Sequence, residues 1–409
     1  MSEITKPIML DETGKEIVEK LHTQNMLLNI MAGAAMEGTT SMAEIRKIVQ
    51  TGKASEVYKI GDQIAVAWTD ITNGQKYDCP MDVIAFPTAT LQDGEEVPAM
   101  RLQWHYATPF GVQFNQYQAF YCAEDAVLKA GTYNITIGSN WGTNCISGKT
   151  YQFTITRDVQ VGGQLAGFRG APDQSHASWK VYSYESNTSA EPIETVAVIE
   201  GNQGTNLGTL KFGGDGKLNC LQSVAYGYNR WSKSALRQWL NSDAGVGKWW
   251  KPQSKYDRVP DQLATKAGFL TGFDEEFREA LRSVKVVTAL NTLTDSTTDN
   301  GVEPLETTYD KMFPLALGQM SINPQLAGEG EACEYWKRAS GMTQKMNQYG
   351  TYPQIRTFAI ENHTSPQSVR LRSAGRGTSN DTWYVSSSGN VFGNYAVSAI
   401  RCAPACDIC

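Results

Sequence analysis

The C-terminal segment, residues 369–409, constrains the fold most strongly because short β-type runs alternate in it with turn-forming residues. Val and Ile favour extended backbone, whereas Ser-Gly and Gly-Asn pairs favour tight turns. We therefore predict several short strands that an apolar framework holds against a core, with loops between them. The framework positions are Val369, Leu371, Val385, Val391, Val397, Ile400, Ala403, Pro404 and Ala405.

Aromatic and short polar residues fill the positions between the framework residues. These residue types supply large contact area and adaptable hydrogen bonds in protein binding surfaces. We predict that they form a mostly exposed ligand-binding face, although Trp383 and Tyr384 are adjacent and would point to opposite faces of a regular strand. The candidate ligand-binding residues are Arg376, Ser379, Asn380, Asp381, Trp383, Tyr384, Asn390, Phe392, Asn394 and Tyr395.

Two motifs at the ends of this segment carry a resemblance to a known class of proteins. LRS at residues 371–373 and IRCAPA at residues 400–405, with a Gly-, Ser-, Asn- and Tyr-rich middle, resemble the end of C-type-lectin-fold domains in phage-encoded proteins. The pattern is also similar to the variable region that diversity-generating retroelements rewrite in phage tropism determinants. Residues 229–242 and 268–287 occur in similar order in such proteins. The resemblance, over roughly residues 210–409, implies a C-type-lectin-fold domain with a variable region at about 352–401.

The length of 409 residues favours more than one domain. We expect a β-rich α+β protein with a helical segment at 1–52 for attachment or oligomerisation, an antiparallel β-sandwich at 53–162 and the lectin-fold domain at 163–409. Apolar residues at a/d spacing in a helix from residue 13 to about 33 fit a short trimeric stalk or an amphipathic helix that lies on its own domain. The sequence leaves both interpretations open.

Two amphipathic helices are expected early in the lectin-fold domain, and their apolar stripes identify its core. The segments at 291–308 and 328–352 are expected to be long surface loops. The predicted core residues are Trp231, Leu236, Trp239, Phe273, Phe277 and Leu281.

One acidic stretch raises the question of a metal. Asp295, Asp299, Asn300 and Glu303 bring together the oxygen ligands that calcium prefers, but their spacing fits no EF-hand. A structural calcium ion and an ordinary solvated loop both remain open, and no other cofactor is expected.

The sequence contains no motif typical of an enzyme. The four histidines lie in different predicted segments, and the Gly-x-Ser-x-Gly and phosphate-loop patterns do not occur. The lectin-type scaffold also resembles that of formylglycine-generating enzymes, which use a pair of cysteines, but Cys333 and Cys402 match no such motif. We expect a protein without enzymatic activity.

The net charge and the hydropathy of the chain argue against some partners and some cellular locations. A net charge of −6 and a pI near 5.4 give no basic field for nucleic acid. The apolar run at residues 26–36 is too short to cross a bilayer, and no secretory signal is recognisable. We therefore expect neither membrane insertion nor export. We expect the protein to be assembled into a virion in the bacterial cytoplasm and to be exposed on the particle surface.

The leading interpretation is a phage virion protein, of the tail-fibre or tropism type, that binds a bacterial surface receptor, either protein or glycan. Its N-terminal region would contact other virion proteins, and a homotrimer would give avidity. An alternative is a head or tail decoration protein without receptor binding. A bacterial surface adhesin is a third possibility, against which the absence of a recognisable export signal counts.

Overall fold

The computed structural model describes residues 41–116, 120–122, 127–137, 148–160, 167–169, 178–182, 194–210, 221–223, 227–253, 259–292, 295, 304–339, 345–378 and 380–409. The helix predicted from residue 13 lies outside these residues. Strands dominate the described part and helices are short, so the β-rich α+β class is confirmed. No helix in the described part of the chain is long and apolar enough to cross a membrane.

Short polar side chains cap three of the helices. Ser41 accepts a hydrogen bond from the Glu44 amide while Glu44 accepts one from the Ser41 amide, which is a complete capping box. Asp274 caps a later helix by accepting a hydrogen bond from the Phe277 amide. The α-helices are α1 (Met42–Gln50), α2 (Ala54–Val57), α3 (Ala235–Leu240), α4 (Glu275–Ala280) and α5 (Glu334–Ala339), and 3₁₀ turns occupy Trp231–Lys233, Phe269–Gly272, Gly318–Met320 and Pro353–Ile355.

The strands are short, and most of them pair antiparallel. The strands of the first half are β1 (Gln63–Ile64), β2 (Ala67–Asp70), β3 (Gln75–Asp78), β4 (Met81–Ala85), β5 (Thr88–Thr90), β6 (Glu96–Pro98), β7 (Met100–Trp104), β8 (Tyr106–Ala107), β9 (Phe120–Cys122), β10 (Val127–Leu128), β11 (Gly131–Ile137), β12 (Thr150–Ile155) and β13 (Val159–Gln160). Those of the second half are β14 (Gly167–Arg169), β15 (Ser178–Tyr182), β16 (Glu194–Glu200), β17 (Thr205–Leu210), β18 (Leu221–Ser223), β19 (Val284–Ala289), β20 (Leu305–Asp310), β21 (Thr357–Ala359), β22 (Pro366–Gln367), β23 (Val369–Ala374), β24 (Asp381–Val385), β25 (Val391–Tyr395) and β26 (Ala405–Ile408).

The C-terminal strand completes a sheet that begins near residue 63. The order of this four-stranded sheet is β1-β4-β7-β26, and Ile408 pairs with Met100. One hydrophobic cluster runs from Met42 to Cys409 and contains residues of both chain ends. Strands from residues 63–104 therefore share a sheet with the C-terminal strand β26, and the sandwich at residues 53–162 stays a prediction.

A second sheet consists of strands that lie between β7 and β26 in the sequence. Its order is β14-β15-β16-β12-β11-β17, with only β11 and β17 parallel. Its buried residues, such as Ile135, Phe153 and Val198, are not part of the main hydrophobic cluster. β9 and β18 pair with each other just outside this region. The described residues between 127 and 210 thus form a separate lobe, and the paired strands β9 and β18 precede and follow it in the sequence.

Aromatic side chains fill the main core. All six predicted core residues are buried, which confirms that prediction. Trp68, Trp104 and Phe269 pack together with ring centroids 5.2–6.0 Å apart. Gly272 is required beside them, because a Cβ there would lie 2.2 Å from Nε1 of Trp68. The two predicted surface loops are in part regular structure, since β20 begins within the first and α5 lies within the second.

Candidate binding face

The predicted binding residues lie on a three-stranded antiparallel sheet, β23-β24-β25, and its connections. The central strand β24 pairs Asp381 with Tyr395 and Trp383 with Gly393. Because paired residues point to the same side and alternate residues share a side, these four positions lie on one face. Thr382, Tyr384, Phe392 and Asn394 lie on the other.

The prediction that the candidate residues are mostly exposed is wrong for three of them. Trp383 is 1% exposed, Asn380 5% and Tyr384 8%. All six residues of β23 and four of the five residues of β24 are buried, so structure covers both faces of these two strands. In a sheet covered on both sides, neither member of an adjacent aromatic pair reaches solvent. Trp383 and Tyr384 are therefore part of the scaffold.

The remaining candidates lie at the margin of the sheet. Tyr395 is 42% exposed, and the other described candidates are half-buried; these are Arg376, Asp381, Asn390, Phe392 and Asn394. Ser379 lies outside the described residues. The framework residue Val397 is half-buried, whereas its neighbour Ala396 is fully buried. All other framework residues are buried, as predicted.

Tyr349 is a further surface residue that the sequence analysis did not identify. It is 69% exposed and has a φ of 64°, which is unusual for a residue with a side chain. Its ring packs edge-on against Trp383 with centroids 4.8 Å apart. Trp383 thus supports Tyr349 on the face from which Tyr395 projects. We call Tyr349, Asp381, Gly393 and Tyr395 the exposed rim.

A buried arginine holds the turn that follows β25. Arg370 is fully buried and donates hydrogen bonds to the backbone oxygens of Asn394, Tyr395 and Ser398 and to the Thr382 hydroxyl. Burial lowers the pKa of its guanidinium to about 9. The backbone of Tyr395 is therefore attached directly to the core of the protein.

A buried asparagine holds the connection between β23 and β24 in a similar way. Asn229 is 0% exposed, and its Nδ2 donates to the backbone oxygens of Gly375, Thr378 and Asp381 at 2.8–3.2 Å. Its Oδ1 accepts a hydrogen bond from Asn291 at 3.0 Å. Two buried polar side chains from distant parts of the sequence thus hold the backbone of Asp381 and of Tyr395, which are paired residues of the exposed rim. The pattern of residues in the C-terminal segment did not indicate this role for Asn229 or for Arg370.

Asp381 contributes a desolvated carboxyl group to the rim. Burial raises the pKa of this carboxyl, while the Thr378 hydroxyl and the Arg370 charge act in the opposite direction. Its Oδ1 is buried and has no hydrogen-bond partner within the described part of the chain. Because Oδ1 is buried, a ligand at the rim can reach this carboxyl only through its other oxygen.

The proposed calcium ligands are described only in part. Asp299, Asn300 and Glu303 lie outside the described residues. Asp295 is buried and accepts hydrogen bonds from the Tyr228 hydroxyl and from Asn291 Nδ2. Within the described ranges, no group of three or more His, Cys, Asp or Glu residues is arranged to hold a metal. Asp295 therefore has a structural role next to Asn229, and the calcium site stays a prediction.

The two cysteines considered for catalysis are buried. Burial raises the pKa of the Cys402 thiol to about 12 and also raises the pKa of the Cys333 thiol. A nucleophilic cysteine requires a thiolate near neutral pH. Both thiols are protonated under those conditions, so neither has the character of a nucleophile.

Comparison with known proteins gives one match. Residues 218–408 match a family described as Domain of unknown function (DUF6273). No curated protein and no solved structure matches the chain. The matched region contains the three-stranded sheet, Asn229 and Arg370, and it leaves out residues 41–116, which contribute to the same core.

Proposed function

We propose that the protein is a virion protein of a bacteriophage and binds a bacterial surface receptor through the exposed rim. The observation that carries this proposal is the pair of exposed tyrosines, Tyr349 and Tyr395, beside a sheet whose aromatic residues Trp383 and Tyr384 are buried. Tyrosine supplies a large contact area and a hydroxyl at low entropic cost, and it is common at binding hot spots.

The scaffold beneath the rim supports the same proposal. Arg370 and Asn229 hold its two connections through at least six hydrogen bonds to backbone oxygens. A loop that is already ordered loses less conformational entropy when it binds a ligand. A pre-organised rim is therefore suited to recognition, with the receptor being a protein or a glycan.

The finer assignments belong to this proposal. In it, residues of the matched region form a C-type-lectin-fold domain, the segment at about 352–401 is variable, and the N-terminal region attaches a homotrimer to the particle. The short helices α3 and α4, the three-stranded sheet and the position of the rim at its margin are compatible with that arrangement. The proposed receptor-binding role requires no catalytic group.

A structural decoration protein is the second candidate. The burial of Asn380, Trp383 and Tyr384 favours it, because these aromatic and polar residues stabilise the sheet instead of contacting a ligand. The two candidates differ in what the isolated protein does. A receptor-binding protein competes with the virion for the host surface, whereas a decoration protein does not.

Competition for adsorption tests the proposal. Host cells are incubated with increasing concentrations of the purified protein, and adsorption of the phage is then measured by the titre of unbound particles. The proposal predicts a saturable decrease in adsorption, and heat-denatured protein is the control. Unchanged adsorption at protein concentrations far above the virion concentration would favour the decoration role.

A further inference from the structure

A large cavity lies away from the exposed rim. It has a volume of about 950 Å³ and is bounded by residues 55–60, by the connection between β4 and β5, by β19 and by residues 328–337. This volume lies in the range of small-molecule sites in proteins. No residue of the exposed rim lines it, so a ligand in the cavity would not occupy the proposed receptor site.

Two arginines and a phenylalanine form the buried wall of the cavity. The guanidinium carbons of Arg101 and Arg372 lie 5.4 and 5.6 Å from the ring centroid of Phe313. Both arginines line the cavity together with this ring. The wall therefore offers fixed positive charge next to an apolar surface.

The two arginines differ in the hydrogen-bonding capacity that is left for a ligand. Arg372 donates to two side-chain oxygens, of Thr288 and Gln319, and to three backbone oxygens, so its donors are all used. Arg101 donates from Nε and Nη2 to Asp407, both at 2.7 Å, and the Cys333 sulfur interacts with the same guanidinium. Since a guanidinium has five N–H donors, Arg101 retains donors for a ligand in the cavity.

Charges of both signs surround the cavity. Five cationic side chains line it and three anionic ones, with Asp407 behind Arg101. This small positive excess favours a single negative charge over a phosphate dianion, because the carboxylates would repel a second charge. The lining residues nearer to solvent, such as Lys285, Glu331 and Lys337, can also hydrogen-bond to hydroxyl groups.

Apolar side chains line another part of the cavity. Phe86, Pro87 and Ile60 contribute to it along with Phe313. Aromatic faces of this kind pack against the C–H groups of a sugar ring, while charged groups bind its hydroxyls.

We propose that this cavity binds an acidic sugar, a polyhydroxylated ring with one carboxylate, and that Arg101 receives the carboxylate. The ring lies against Phe86 and Ile60, which are half-buried in the lining, and its hydroxyls bond to the lysine and glutamate side chains. This site is independent of the proposed receptor-binding function, because it uses other residues and a small ligand.

The test measures binding of defined sugars to the full-length protein by calorimetry and by saturation-transfer NMR. The probes are D-glucuronic acid and D-galacturonic acid, and the comparison compounds are D-glucose, D-glucose 6-phosphate and L-phenylalanine. At least one uronic acid is expected to bind saturably at millimolar concentration, with weaker binding of all three comparison compounds. Failure of both uronic acids, or tighter binding of any comparison compound, would overturn the proposal.

Variants connect this binding to the cavity. Ala332→Trp fills the space with a side chain from the lining and is expected to abolish binding. Lys285→Glu reverses an exposed charge of the lining and is expected to weaken binding about tenfold. Lys248→Glu, an exposed lysine outside the lining, is the matched control and should leave affinity unchanged. Thermal melting verifies folding, and the exposed Lys285 site keeps the test decisive if Ala332→Trp does not fold. Equal affinity in the control and in Lys285→Glu would contradict the assignment.

Discussion

Replacement of Asn229 by Asp tests the account of how the rim is positioned. The change keeps the shape of the side chain but removes an NH₂ group that faces the backbone oxygens of Gly375, Thr378 and Asp381. Two donor hydrogens are lost in a site that is 0% exposed. Each buried acceptor left unsatisfied costs about 1–3 kcal/mol, and a carboxylate there adds a desolvation cost.

We expect Asn229→Asp to lower the free energy of unfolding by about 3–5 kcal/mol at pH 7. Protonation of the new carboxyl at low pH restores one donor, so the loss should be smaller at pH 4. Urea denaturation gives the magnitude, and hydrogen exchange of residues 375–381 shows whether this connection opens first. Asn73→Asp is the matched control, because Asn73 is exposed and only its Oδ1 accepts a hydrogen bond, from the Gln75 amide. Equal stability of the two variants would refute the role of Asn229.

Three other expectations are open to direct measurement. Trp239→Ala should cost about 3–5 kcal/mol in urea denaturation, because Trp239 is 1% exposed and donates to the Ala267 oxygen; a wild-type midpoint would contradict its core position. The hydrogen bond with Asp82 raises the pKa of His105, so its stabilising contribution is complete below about pH 6.5 and is lost as pH rises through the raised pKa. Thermal melting from pH 5 to 9 should show this slope in the wild type and a weaker one in His105→Gln, and identical slopes would disprove it. Light scattering of the full-length protein should give a trimer, and a monomer at micromolar concentration would contradict that prediction.

The local features of this fold were predictable because they depend on neighbouring residues. Ser41 and Asp274 are strong N-cap residues, and the helices after them are present. The β-branched residues of β4 and β11, with turns flanking them, are local signals of the same kind. These signals extend over only a few residues.

The long-range features were not predictable for the same reason. Nothing in the local pattern of residues 405–408 shows that this strand pairs with β7. Trp383 packs against Tyr349 and donates to the side chain of Gln325, both outside the C-terminal segment, and so its burial was missed. Arg370 and Asn229 look like ordinary polar residues in the sequence, and only the fold brings backbone oxygens of other segments to them.

The most direct test of the central claim compares binding of two double variants to host cells. Tyr349→Ala/Tyr395→Ala removes both exposed rings of the rim, and Ile71→Ala/Val246→Ala removes two exposed apolar side chains elsewhere. Binding of fluorescently labelled protein is measured by flow cytometry, with melting temperatures as the check on folding. If the rim binds the receptor, the tyrosine variant loses at least about tenfold in affinity while the control binds like the wild type. Equal binding by a folded tyrosine variant and by the control would contradict the proposed function of the rim.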